Sequence, residues 1–140
     1  MDINFDKLAE VYEKIICKGR FVIPVIMQIE STKEVLTLAY LDDEALQCAF
    51  KKMRAVFWST SRDELWIKGS TSGQYFSLKK VLADCEGNSL LFLVEPINGA
   101  RACHTIGGDG KYRRSCFYRE VILDETGQDI ILDIDINDGR

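Results

Sequence analysis

The stretch FVIPVIMQIESTKEVLTLAYLDDEALQCAFKKM, Phe21 to Met53, decides how the chain is read. FVIPVIMQIE and EVLTLAYL are β-rich apolar runs. The polar STKE between them has turn composition, so the two runs predict a hairpin. DDEALQCAFKKM then predicts a short helix, with its acidic residues at the positive N-terminal end. Working outward, NFDKLAEVYEKIICKG upstream places Phe5, Leu8, Val11, Ile15 and Ile16 at helical spacing, with Gly19 as a stop. Downstream, AVFWSTSR pairs with ELWIKG, YFSLKKVLAD with SLLFLVEPI, and SCFYREVILDE with DIILDIDI. Each pair is separated by a short polar turn. The prediction is an α+β domain over residues 1–140, a mainly antiparallel β-sheet with two short helices.

Composition narrows the function. At 140 residues the chain is long enough to bury a core. A net charge of −4 makes no general case for nucleic-acid binding. No apolar run is long enough to cross a membrane. The acidic, amphipathic start lacks the basic and apolar regions of a secretory signal, so a cytoplasmic protein is expected. Five cysteines, Cys17, Cys48, Cys85, Cys103 and Cys116, are an odd count without an export signal. Reduced thiols follow, acting as small hydrophobes or as metal ligands. Cys17 and Cys48 lie in helical segments and fit the first role.

Three places concentrate the chemistry. In ADCEGNSL, Asp84, Glu86 and Asn88 alternate around Cys85. If extended, the segment would present oxygen donors suited to Mg²⁺ on one side and a thiol suited to Zn²⁺ on the other. Glu-Gly-Asn is equally ordinary turn chemistry. In RACHTIGGDGKYRRSCFYRE, the single histidine, His104, follows Cys103, and Cys116 lies beyond a basic, glycine-rich loop. The spacing is compatible with a plain hairpin or with part of a zinc shell. In the latter, an open position would hold a water acidified by the metal, with His104 as proton carrier. In FWSTSRDELWIKGSTSGQ, hydroxyl residues, glycines, Arg62 and Lys68 are good phosphate-cradle material. Trp58 and Trp66 could stack on a heterocycle or fill the core.

Taken in order, W-S-x-S-R, L-W-x-K-G-x-T-S-G, D-C-E-x-N, A-C-H-T and S-C-F-Y-R resemble the phosphoribosyl-AMP cyclohydrolase family of histidine biosynthesis. IPVIMQ and EVLTLAYLDDEAL resemble it too, so the similarity spans Phe21 to Arg119. The resemblance implies zinc on Cys85, Cys103 and Cys116, and magnesium on Asp84, Glu86 and Asn88. It implies His104 as general base, and an obligate-type homodimer whose subunits share active sites. Substrate contacts are expected from Trp58, Ser59, Ser61, Arg62, Trp66, Lys68, Thr71, Ser72 and Gly73. The loop cations Lys111, Arg113 and Arg114 are expected to clamp a substrate phosphate.

The chain also departs from the family pattern. Asp-Cys-Asp-x-Asp has become Asp84-Cys85-Glu86-Gly87-Asn88, which implies weaker magnesium binding. Phe76 replaces a glutamine, Ile29 an aspartate, and the loop between Cys103 and Cys116 is longer than usual. The implied reaction is hydrolytic opening of the N1–C6 bond of the purine in phosphoribosyl-AMP, a small-molecule nucleotide. Two alternatives stay open: a paralogue acting on another purine nucleotide, and a non-catalytic zinc-stabilised dimer. The His-x-Glu and Pro-Cys-x-x-Cys pattern of zinc deaminases is absent.

Overall fold

The computed structural model describes residues 21–123, 125–127 and 130–135. The helix expected over Asn4–Gly19 lies outside them. β1 (Ile23–Ile29) and β2 (Val35–Leu41) form the expected hairpin, with a bulge between Met27 and Gln28. Helix α1 (Asp43–Lys52) follows at once. Asp42 caps it, its carboxylate accepting from the Ala45 N–H at 2.8 Å. Asp43 and Glu44 occupy the first turn and Lys51 and Lys52 the last, as the helix dipole favours. Met53 ends the helix in the left-handed region, with its N–H on the Ala49 carbonyl.

β3 (Val56–Ser59) and β4 (Glu64–Ile67) pair around the Arg62–Asp63 turn. β5 (Phe76–Ala83) and β6 (Leu90–Pro96) pair around the Cys85–Asn88 turn. The six strands form one sheet, ordered β4-β3-β2-β1-β6-β5. The expectation of antiparallel pairing needs one correction, because β1 and β6 run parallel and the sheet is mixed. Two hairpins meet there side by side, and no tight turn joins their inner strands. β7 (Arg119–Leu123) and β8 (Ile130–Asp135) form a separate antiparallel pair.

The large sheet curls. The Ala55 N–H donates to the Phe76 carbonyl at 3.2 Å and the Leu78 N–H to the Met53 carbonyl at 3.1 Å, so β5 reaches back to the segment before β3. Inside the curl lie Val25, Met27, Phe57, Phe76, Leu78, Phe92 and Val94, all buried. Phe57 stacks on Phe92 at 5.8 Å between centroids, although their strands are not neighbours. Ala45 and Ala49 of α1 join the same core. Their small side chains let the helix backbone come close to the sheet.

The outer face is different. Leu38, Ile26, Leu91 and Leu82 are successive cross-strand partners on β2, β1, β6 and β5, so they form one row. Leu38 is 45% exposed, Ile26 41% and Leu82 44%. Leu91 is half-buried. No helix among the described residues is long and apolar enough to cross a membrane.

Candidate active site

The segment after β6 builds the site. From Ala102 to Arg114 it folds back on itself as a small ladder. The Ala102 N–H donates to the Arg114 carbonyl at 3.0 Å, the Cys103 N–H to the Arg113 carbonyl at 3.1 Å, and the Arg113 N–H to the Thr105 carbonyl at 2.9 Å. The plain-hairpin reading of the backbone therefore holds, and the thiols sit on it. Ser115 is buried, its hydroxyl donating to the Val35 carbonyl at 2.7 Å. The Cys116 N–H donates to the Leu36 carbonyl at 2.8 Å. These bonds pin Cys116 onto β2.

Cys103 and Cys116 come together. Cys103 is buried and its sulfur lies 2.9 Å from the Thr105 hydroxyl. Desolvation around the Cys116 sulfur raises its thiol pKa, although the residue as a whole is open to solvent. A hydrogen bond with the Thr37 hydroxyl lowers it, the neighbouring Cys103 raises it, and the Lys68 ammonium lowers it. Lys68 is buried at the end of β4, and burial pushes its own pKa down against the pull of both thiols.

Beside the thiols lies a cavity of about 330 Å³. Trp66 and Lys68 reach it from the β4 side, Gly69, Thr71 and Ser72 from the following loop, and Arg62 from the β3–β4 turn. Cys103, His104, Arg101 and Tyr112 also line it. His104 is exposed. Trp66 is steadied by Phe57, with 5.8 Å between ring centroids. Trp58, Ser59 and Ser61 line an adjoining depression of about 340 Å³ that shares Arg62 and Trp66. The Ser59 hydroxyl accepts from the Arg62 backbone N–H at 3.3 Å and from its Nε at 3.4 Å. Gly73 lines neither cavity, and closes its loop by donating to the Gly69 carbonyl at 2.7 Å.

Several expected ligands lie elsewhere. The Asp84–Asn88 segment is a turn, so the alternating-sides geometry of an extended strand does not apply. Gly87 has φ +71°, and one Asp84 carboxylate oxygen accepts the N–H groups of Asn88 at 2.9 Å and Ser89 at 3.2 Å. Burial opposes ionisation of Asp84, but these bonds outweigh it and hold the carboxyl below the usual range. The Asn88 amide donates to Glu86 at 3.2 Å. Cys85 is exposed on this turn. Within one chain, no three His, Cys, Asp or Glu side chains among the described residues gather where they could hold a metal ion. Arg113 and Arg114 line neither cavity. Arg113 stacks over Tyr118 at 4.1 Å and donates to the Ile106 carbonyl at 2.7 Å, and Arg114 binds Glu34 at 2.8 Å.

The loop cation that does line the cavity is Arg101, which the motif reading passed over. It borders the 330 Å³ cavity and, on its other side, a second cavity of about 400 Å³ near Lys111. Its backbone N–H donates to the Gln74 side chain at 2.8 Å, tying the two loops together. Position next to the Ala-Cys-His motif was the available signal.

Residues 37–118 match the family model described as Phosphoribosyl-AMP cyclohydrolase. A phosphoribosyl-AMP cyclohydrolase of Archaeoglobus fulgidus is 46% identical over 126 residues, covering 90% of this chain and 98% of that protein. One from Nitrosopumilus maritimus is 44% identical over 120 residues, covering 86% and 94%. The chain belongs to the phosphoribosyl-AMP cyclohydrolase family. The matched span of this hydrolase family starts in β2 and ends at Tyr118, so it contains every residue that lines the cavity beside the thiols.

Proposed function

We propose that the protein is a cytoplasmic, zinc-dependent phosphoribosyl-AMP cyclohydrolase that opens the purine ring between N1 and C6. The observation that carries this reading is the meeting of Cys103 and His104 at one cavity with Trp66, Lys68, Arg62 and Arg101, with Cys116 beside Cys103, in a chain of that family. The Trp66 ring suits a flat heterocycle and the arginines suit its phosphates.

Cys103 and Cys116 are a fitting soft pair for zinc, which favours thiolate ligands. Cys85 is the third expected ligand, and its separation from the pair within one chain favours supply by a second copy. The outer row Leu38–Ile26–Leu91–Leu82 supports such a homodimer. It spans four adjacent strands, and a two-fold axis between β1 and β6 would set the β5 side of one copy against the β2 side of its partner. Cys85 follows β5 and Cys116 is pinned to β2, so this arrangement would bring the thiols toward one another. Asp84, Glu86 and Asn88 share the Cys85 turn and would offer oxygen ligands for magnesium beside it.

A bound zinc ion would supply Lewis-acid activation of the attacking water. Arg62 and Arg101 would hold the phosphates while Trp66 packs on the base, which fixes C6 against the thiol side of the cavity. His104 would take a proton from the water as its oxygen bonds to C6. That proton returns to N1 as the N1–C6 bond breaks, and the second proton of the water passes to the exocyclic nitrogen, leaving a carboxamide at C6. The test is incubation of the purified, metal-loaded protein with phosphoribosyl-AMP, followed by chromatography for the ring-opened product. Intact substrate after exposure to folded, zinc-bearing protein would overturn the proposal.

A further inference from the structure

Lys68 is the one buried cation among the described residues, only 8% exposed. Its Nζ donates to the Ala102 carbonyl and lies 5.3 Å from the Trp66 ring centroid. No carboxylate among the described residues pairs with it, and the ionisable groups beside it are the Cys103 and Cys116 thiols. A buried ammonium without a counter-charge is costly. Neutral thiols relieve little of that cost, whereas thiolates relieve much of it.

We infer that Lys68 is a positioning residue and built-in counter-charge for a metal–thiolate centre on Cys103 and Cys116. This rests on the zinc reading above and adds a residue to it. Two links support the inference. The first is geometric: the Lys68 N–H is fixed to the Ala55 carbonyl at 3.0 Å, and its ammonium holds the carbonyl of the residue just before Cys103. The Cys103 wall is thereby tied to the sheet. The second is electrostatic. With Cys85 of a second copy as the third ligand, three thiolates around a divalent ion carry a net charge of about −1, which the ammonium offsets. With the metal absent, that offset is missing. The difference between the two states adds to metal affinity.

The test is zinc affinity, measured on the full chain by competition with a chromophoric chelator, for wild type, Lys68→Arg and Lys68→Met. Lys68→Met should bind zinc roughly 10–100-fold more weakly, the size seen for losses around a metal's ligands, and Lys68→Arg should recover most of the loss. Thermal melts supply a second readout. Metal-free Lys68→Met should melt at or above the metal-free wild type, because an uncompensated buried charge has gone, and the order should reverse with zinc. A wild type that binds zinc while Lys68→Met matches its affinity overturns the inference alone. A wild type that takes up no zinc overturns the metal reading beneath it. If Lys68→Met fails to fold, Lys68→Gln makes the same comparison.

Discussion

Asp109 reaches across the loop to Arg101, its carboxylate 3.2 Å from the guanidinium Nη1 that also donates to the Tyr112 carbonyl at 3.1 Å. The contact holds the guanidinium in the wall between two cavities. A bound phosphate gains from a cation already in place. Arg101→Met should therefore raise KM for phosphoribosyl-AMP by about tenfold or more, from loss of a charge-assisted hydrogen bond. Asp109→Asn should give a smaller rise. Steady-state kinetics at low salt check both, and an unchanged KM in Arg101→Met would remove Arg101 from substrate capture.

The same carboxylate makes the loop sensitive to acid. The Lys111 N–H holds the Asp109 carboxyl below its usual range, burial opposes this, and the Arg101 charge reinforces it. A depressed folded-state pKa contributes stability above the unfolded value, and that stability is lost as pH falls through the folded value. Hydrogen exchange at the Lys111 amide, corrected for its intrinsic pH dependence, should lose protection over that acidic window. Asp109→Asn should show no such step.

Subunit mixing tests the proposal that two copies share a zinc site. Cys85→Ser and Cys103→Ser should each abolish zinc binding alone. If each site draws Cys85 from one copy and Cys103 and Cys116 from the other, mixed dimers carry one intact site. An equal mixture that exchanges freely should then recover about a quarter of wild-type zinc. No recovery in dimers proven mixed by mass spectrometry would place all three ligands in one chain.

The outer row supplies a further test. Ile26→Glu puts a charge at its centre, and Leu82→Glu puts one at its end. Both should shift the protein to a monomer in sedimentation velocity and lower zinc content in parallel. A mutant that stays dimeric, with normal zinc, would mean that another surface joins the copies.

For magnesium, Asn88→Asp should tighten binding at the turn, since ligand charge sets much of the affinity. The substitution also replaces the Asn88–Glu86 hydrogen bond with two carboxylates side by side. Without metal the turn should loosen, and magnesium should restore it. Coincident magnesium titrations of the two forms would take Asn88 out of the ligand set.

Strand order within each hairpin was readable because each pair is local and its turn is marked by polar residues. The parallel β1–β6 contact was not, because it joins two hairpins and no turn residue signals it. The Asp84–Asn88 turn shows the limit of periodicity: three alternating polar residues fit a strand face, yet Gly87 and the Asp84 cap fold them into a turn. The same limit applies to Arg113 and Arg114. Composition marks them as phosphate binders, while Tyr118 and Glu34, distant or unremarkable in sequence, engage them. Cys103 and His104 stand in a motif, and both line the cavity. Lys68 carried a motif too, but its burial beside the thiols depends on the curl of the sheet.

The position of β1 has a kinetic consequence. Its antiparallel partner β2 follows after a short turn, whereas its parallel partner β6 becomes available only once the intervening helix and three strands have been made. Such long-range pairing is slow to form, because loop closure costs entropy before the contact rewards it. The Cys103 ladder follows β6, and Ser115 and Cys116 attach to β2. This order implies that the two thiols meet only after the sheet has assembled. A metal ion would then be captured by a finished scaffold instead of nucleating the fold, the reverse of the sequence in a zinc finger.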